Sequence, residues 1–327
     1  MLIVIALGGN ALLQRHDKPD AGIQHIRARQ AVRAVAPLAA DHQLVITHGN
    51  GPQVGLLAVE STQDATLDGP YPLDVLGAES EGMIGHWLSL ELRNALPSTP
   101  VASLLTQTLV DEGDPAYHNP TKFIGIGYEP HTAHAIAEQH GWTLRRDGNT
   151  WRRVVPSPEP QDILDIEVLE LLLRNGTIPV CAGGGGVPVV RTADGQLAGT
   201  DAVIDKDLTA ALIATRLHAD ALLMLTDVAH VEQHWGTPLA RPLHRATPAQ
   251  LRQMSFAAGS MAPKVEAACR FVEQHGATGR AAVAGIGRLA DAADILAGHA
   301  GTLVAGAPVA ASAPPVRAGG PAAPPAT

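Results

Sequence analysis

Four short apolar runs, each stopping at a turn suited to close approach, limit what this chain can fold into. Leu2 to Leu7 stops at Gly8, Leu44 to Thr47 at Gly49, Ile178 to Cys181 at Gly183, and Ala221 to Leu225 at Thr226-Asp227. Unbroken apolar runs of this length suit strands covered on both faces. Helical spacings separate them, at Ile26 to Ala40, Ile163 to Leu173, Leu208 to Leu217 and Val265 to His275. Strands alternating with helices require right-handed crossovers and therefore a mostly parallel sheet. The expected fold class is α/β, an open, mostly parallel central sheet sandwiched by helices in three layers, with a small protruding subdomain. Ligands of such sheets collect at the carboxyl ends of the strands, where these glycines fall.

Two local features refine that plan. Pro37 lies inside the Ile26 to Ala40 spacing, lacks a backbone donor and clashes with the preceding turn, so a kink or an early helix end is expected there. Asp111 to Pro160 is rich in Pro, Gly and polar residues, and Gly141 to Arg153 reads as a short hairpin around Asp147-Gly148. The expected organisation is an N-terminal lobe over residues 1–176 carrying a lid at about 111–157, and a C-terminal lobe over 177–307. The Ala/Pro-rich stretch 308–327, with no pattern for packing, is expected to be disordered.

Composition excludes several classes. The net charge of −9 argues against a duplex nucleic-acid binder, which needs basic surface to displace counterions. No apolar run approaches the roughly 18 residues of a membrane span. The first residues carry no basic segment, and Gly8-Gly9-Asn10 interrupts their apolar stretch, so they fail as a secretory signal and a cytoplasmic chain is expected. Cys181 and Cys269, the only cysteines, are too few for a disulfide framework and lack metal-type spacing; they read as ordinary buried thiols.

The glycines carry the first chemical signal. Gly8-Gly9-Asn10 follows the first strand, and His48-Gly49-Asn50-Gly51 follows the second and opens a helix whose first-turn amides lack intrahelical partners. A phosphate cradle is one reading and a bare tight turn the other. A third run, Gly183 to Gly186, suggests close approach of a ligand, with a flexible loop as the alternative. None matches the P-loop pattern, because no Gly-Lys-Ser/Thr follows. Phosphate chemistry must then recruit lysines from elsewhere, and the chain has few: Lys122 in NPTKFIG, Lys206 between Asp205 and Asp207, and Lys264 in AAGSMAPK. Phosphoryl transfer depends on cations around the transferred group. Two flanking aspartates would orient Lys206, or form a simple surface ion pair with it.

The blocks IALGGNAL, ITHGNGPQVGLL, PLDVLGAESEGMIGHWL, NPTKFIG, WRRVVPSPEP, AGGGGVPVV, AVIDKDLTA, LTDV and AAGSMAPK occur here in the order seen in carbamate kinases, members of the amino acid kinase superfamily, and the resemblance runs to about Gly306. It implies the amino acid kinase fold and reversible phosphoryl transfer between ATP and carbamate, with carbamoyl phosphate as the other product and arginine breakdown as the setting. By the same resemblance, Gly8, Gly9, Asn10, Gly49, Asn50 and Gly51 would bind the transferred phosphate and the carbamate in the N-terminal lobe. Lys122 would reach in from the lid. Lys206 and Lys264 would stabilise the bridging oxygens, with Asp207 organising them. The nucleotide would lie over the second lobe near Thr226, Asp227, Trp235 and Met261, also touched by Lys206 and Lys264. Mg²⁺ would arrive with ATP or ADP rather than on protein ligands, and the chain would form a homodimer by extending its sheet.

The chain departs from the family pattern in places. Phe123 and Ile126 stand where the family's block has prolines, and Val228-Ala229-His230 lacks the acidic or glycine residue that more usually follows Thr226-Asp227. His48, His86 and His118 read as packing or supporting groups rather than metal ligands. Two rival readings are another acyl-phosphate-forming kinase acting on a larger amino acid, and a non-catalytic nucleotide-binding sensor. The sensor would be expected to lack one or more of the three lysines.

Overall fold

Along the first strand, Leu2–Leu7, successive side chains point to opposite faces of a sheet. Ile3, Ile5 and Leu7 join an apolar cluster with helices Ala21–Val35 and Leu73–Ala95, while Val4 and Ala6 join a second cluster with helices Lys206–Arg216 and Met261–Ala277. Helices therefore cover both faces, which is why the strand could be apolar throughout. The computed structural model describes residues 1–13, 17–63, 66–67, 69–256 and 261–306, without the side chains of Asn10 and Ala11. The tail expected to be disordered lies outside the described residues.

The central sheet has eight strands in the order Arg245–Ala246, Thr302–Ala305, Val283–Arg288, Ala221–Thr226, Leu2–Leu7, Gln43–His48, Ile178–Val180, Val101–Ser103. Its pairings are parallel except between Val283–Arg288 and Thr302–Ala305. Ile5 aligns with Ile46 on one side and with Leu223 on the other, so the first strand is central and its turn emerges between two others. The four strands read from the sequence are present within two residues of the expected bounds. Pro37 acts as anticipated: the helix stops at Val35, and Ala36–Ala40 continues as a 3-10 turn.

A second sheet, Leu197–Gly199, Val187–Arg191, Gln107–Leu109 and Asp162–Ile163, was not expected. Its strands of two to five residues are too short to leave a periodic signature. A third sheet is formed by Lys122–Tyr128, Thr150–Val155 and Leu144–Asp147, the last two making the hairpin across Asp147 and Thr150. Its helix, Pro130–His140, ends at Gly141 in the left-handed conformation. This sheet rests on helix Gly51–Gln63 through an apolar seat of Val54, Ala58, Ile124 and Val155.

The seat is tightest where two glycine backbones meet. A Cβ added at Gly55 would lie 2.0 Å from the Gly125 Cα and 2.2 Å from its nitrogen, and Gly125 itself has φ +69 at a break in strand register. Gly55 has no room for a side chain, and Gly125 takes a backbone conformation that side chains rarely adopt. Gly55→Ala should lower the unfolding free energy by about 1–3 kcal/mol through overpacking, seen as a lower urea midpoint at unchanged slope. A midpoint equal to wild type would show that the seat is loose.

Candidate functional site

The carboxyl ends of the central strands bring the glycine turns together. The N–H of Gly8 donates to the Leu225 carbonyl at 2.7 Å and that of Gly49 to the Leu7 carbonyl at 2.9 Å. These two amides extend the strand pairing, so neither is left over for a ligand. A Cβ on Gly49 would stand 2.9 Å from the Gly9 nitrogen and 3.3 Å from Lys206 Cδ, which shows how closely the first two turns and that lysine pack. Gly51 opens helix Gly51–Gln63, where first-turn N–H groups have no intrahelical acceptor. The Asn10 side chain lies outside the described residues.

Asn50 is buried and donates from Nδ2 to Ser80 Oγ at 2.9 Å, while Ser80 donates to the Gly77 carbonyl at 2.9 Å. With its hydrogen committed, Ser80 can only accept, which fixes the orientation of the Asn50 amide. The third turn then closes over Asn50, since a Cβ on Gly184 would lie 2.1 Å from Nδ2. Ala182, Gly184, Gly185 and Gly186 all take positive φ. The turn is held from behind: Glu81 Oε1 accepts from the Gly183 N–H at 2.8 Å, and the Gly185 carbonyl accepts from Thr108 at 2.9 Å and Thr209 at 3.1 Å. The run is therefore an ordered wall, and the flexible-loop alternative does not hold.

The three singled-out lysines converge here, out of four in the chain. Asp207 takes Lys206 Nζ on Oδ1 at 2.5 Å and Lys264 Nζ on Oδ2 at 3.0 Å, with side-chain exposures of 5%, 11% and 10% respectively. The expectation that both flanking aspartates orient Lys206 is corrected. Asp205 accepts from Lys122 Nζ at 2.5 Å and caps helix Lys206–Arg216 by accepting from the N–H groups of Asp207 and Leu208. The reason is directional: a capping side chain turns back over the helix end, away from the next residue.

Burial and charge oppose one another throughout the cluster. Burial pushes the Asp207 carboxyl up, but Lys206 and Lys264 pull it well below the usual range. Burial pushes the Lys206 ammonium down, and Lys264 adds to the fall against Asp207, for a net lowering. Lys264 moves up, because Asp207 outweighs its burial. Behind the turns, burial raises the Glu81 carboxyl to about 8 against the pull of the Gly183 N–H, and lowers His48 to about 4. His48 is a packing group beneath Gly183; His86 and His118 are exposed, contrary to the expected packing role.

Together these residues line a cavity of about 250 Å³, reached by Gly8, Gly9, Gly49, Asn50, Gly51, Lys122, Lys206, Asp207, Lys264, Thr226 and Asp227. Trp235 and Met261 lie instead in a second cavity of about 660 Å³ with Val228, His230 and Phe256. Among the described residues no group of three or more His, Cys, Asp and Glu side chains is placed to hold a metal. Asp205 and Asp207 both carry ammonium partners, so they do not form the oxygen cage a protein-held divalent cation requires.

Sequence reasoning missed the Lys122–Asp205 pair, Ser80, Glu81 and Arg152, which also lines the smaller cavity. For Ser80 and Glu81 the only signal was their place in the PLDVLGAESEGMIGHWL block, and for Arg152 its place in WRRVVPSPEP.

Known proteins resemble this chain in sequence and in fold. The sequence pattern of the amino acid kinase family matches residues 1–280. A carbamate kinase of Rhizobium meliloti is 48% identical over 93% of this chain and 93% of its own length. One from Pyrococcus furiosus is 42% identical over 92% and 98%. Carbamate kinase from Giardia lamblia bound to citric acid superposes with a TM-score of 0.87 at 36% identity, covering 94% of this chain and 98% of that one. The same enzyme bound to AMP-PNP gives a TM-score of 0.83 over the same shares, also at 36% identity.

The two buried groups behind the turns set a pH signature. Glu81 keeps its proton up to about 8 in the fold against 4.5 as a reference, so the folded chain binds the extra proton and stability falls as pH rises across that window. His48, at about 4 against 6.5, loses stability as pH falls between those values, which offsets Glu81 below 6.5. Urea midpoints should therefore fall between pH 6.5 and 8. Glu81→Gln should lack the Glu81 part of that fall; a variant with the same slope as wild type would remove Glu81 as its source.

Proposed function

The chain belongs to the amino acid kinase family, among its carbamate kinases, and on that premise we propose that it transfers a phosphoryl group reversibly between ATP and carbamate. It is a phosphotransferase; the finer reading is ATP formation from ADP and carbamoyl phosphate during arginine breakdown, in the cytoplasm. The observation that carries it is the cluster of Lys122, Lys206 and Lys264 on two aspartates, facing a small cavity walled by three glycine turns.

In the ATP-forming direction, a terminal oxygen of ADP attacks the phosphorus of carbamoyl phosphate in line, and the bond from phosphorus to the carbamate oxygen breaks. Carbamate leaves as an anion with the bonding electron pair and needs no proton from an acid in that step; after release it takes a proton from water and yields ammonia and CO₂. Charge spreads over the equatorial oxygens of the moving group, where Lys206 and Lys264, fixed on Asp207, supply cations without reorganising. Lys122 adds a third from the lid. Gly9, Asn50, Gly51 and Gly184 let the group come close to the backbone. Mg²⁺ would be carried by the nucleotide and would neutralise its phosphate charge, because Asp205 and Asp207 are already paired with lysines.

The nucleotide is assigned to the cavity of about 660 Å³, where Trp235 and Met261 offer apolar surface, with Thr226 and Asp227 in the lining of the cavity of about 250 Å³. On this reading residues 1–176 bind carbamate, with the lid at about 111–157, and residues 177–307 bind nucleotide. The smaller cavity, at about 250 Å³, favours carbamate over a larger amino acid acceptor. We include a homodimer in the proposal, joined along a sheet edge; the two edges are the short strands Arg245–Ala246 and Val101–Ser103.

The test is ATP formation from ADP, Mg²⁺ and fresh carbamoyl phosphate, with acetyl phosphate as a control. Lys206→Ala should reduce kcat by at least ~10²-fold, as expected for removing one charge-stabilising donor. Wild-type turnover by that variant, or no transfer from carbamoyl phosphate by a folded, ADP-binding chain, would overturn the reading.

A further inference from the structure

The Asp205 carboxylate has two oxygens with two different tasks. Oδ1 accepts from the N–H groups of Asp207 at 2.9 Å and Leu208 at 3.3 Å, which locks the carboxylate plane onto the start of helix Lys206–Arg216. Oδ2 accepts from Lys122 Nζ at 2.5 Å. Lys122 is the first residue of the lid strand Lys122–Tyr128, paired with Val155, and just beyond Val155 the Val203 N–H donates to the Pro156 carbonyl at 3.0 Å. The lid is thus joined to the loop before the helix through backbone, through the hydrogen bond between the Tyr117 and Thr200 hydroxyls at 3.0 Å, and through the Lys122–Asp205 pair.

We propose that Asp205 is a positioning residue acting through Lys122, tying the lid's lysine to a rigid helix end and so setting where its charge stands over the reacting phosphoryl group. The inference deepens the phosphotransfer reading and rests on it. A lysine side chain is a flexible stem with a point charge at its end, so its contribution depends on what holds it. Here the holder is 12% exposed and the lysine 31%, so the pair is better shielded from water than an ordinary surface pair. Burial pushes the Asp205 carboxyl up, but Lys122, with Lys206 beside it and Asp207 opposing, brings it below its ordinary value, which keeps it ionised near neutrality. The tripeptide Asp205-Lys206-Asp207 thereby orders all three lysines: its first residue holds Lys122, and its third holds Lys206 and Lys264.

Asp205→Asn is a clean probe, because asparagine caps helices about as well as aspartate but carries no charge for Lys122. Turnover with carbamoyl phosphate and ADP is measured for wild type, Lys122→Ala, Asp205→Asn and the double variant, alongside hydrogen exchange of residues 122–128 and 206–216. Asp205→Asn should lower kcat by about 10-fold to 10²-fold, the scale of a misplaced catalytic group, with the KM for ADP within about twofold. The double variant should be no slower than Lys122→Ala, because Asp205 acts through that lysine. Exchange should quicken at 122–128 and stay unchanged at 206–216. Multiplying losses in the double variant, wild-type kcat in Asp205→Asn, or unchanged exchange at 122–128 would overturn the proposal. A wild type that turns over no carbamoyl phosphate would instead overturn the functional reading, and the exchange measurement would still decide whether Asp205 holds the lid.

Discussion

One carboxylate shared by two buried ammonium groups sets the terms for the whole site. Asp207 holds Lys206 and Lys264 together where, without it, two like charges would face each other in a medium that screens them poorly. Removing such charges from water costs several kcal/mol for each, and apolar residues of the same volume would stabilise the fold at least as well. The arrangement is therefore better explained by what it does to an anion than by what it does for stability. Counting Lys122 and Asp205, the cluster carries three positive and two negative charges. The cluster thus keeps one positive charge in excess, with each lysine held on an aspartate.

The sheet explains why the cluster forms where it does. The parallel strands Leu2–Leu7, Gln43–His48, Ile178–Val180 and Ala221–Thr226 are neighbours in space and point the same way, so the residues that follow them must meet at one edge. Helix Lys206–Arg216 packs against the first strand and starts at that edge, which places Lys206 beside Gly49. Helix Met261–Ala277 lies on the same face and brings Lys264 to the opposite side of Asp207. Helix Leu73–Ala95 covers the other face, and from there Ser80 orients Asn50 and Glu81 holds Gly183. Each of the two helical layers thus supplies part of the site, Lys206 and Lys264 from one and the backing of the glycine turns from the other.

The parts that could be read in the sequence were those whose physics is local. A strand buried on both faces reads as an apolar run, and its ending at glycine reads as a turn, so the strands leading to Gly8, Gly49 and Gly183 were visible. Pro37 was visible because its effect on a helix does not depend on context. What sequence could not show was pairing at long range. Asp205 is adjacent to Lys206 in the chain but bonds to Lys122, 83 positions away. Glu81 looks like any acidic residue on an amphipathic helix until the fold closes over it. The amides of Gly8 and Gly49 seemed free for a phosphate and are instead taken by neighbouring strands, a fact only strand order can reveal.

Phe123 and Ile126, the two residues read from the sequence as departures, differ in how they enter the structure beside the site. The Phe123 ring lies under the Arg152 guanidinium at 5.5 Å from its carbon, and both side chains line the smaller cavity. Arg152 in turn donates to the Gly125 carbonyl at 3.0 Å and to Asp147 at 2.9 Å, so the ring, the hairpin turn and the glycine seat brace one another. A proline ring could not offer the same aromatic face to that cation. Ile126 is 63% exposed and lies one residue beyond the seat, so its change of side chain falls on the outer surface. The two are thus unequal: Phe123 takes part in bracing the three-stranded sheet, while Ile126 leaves the contacts that place Lys122 untouched.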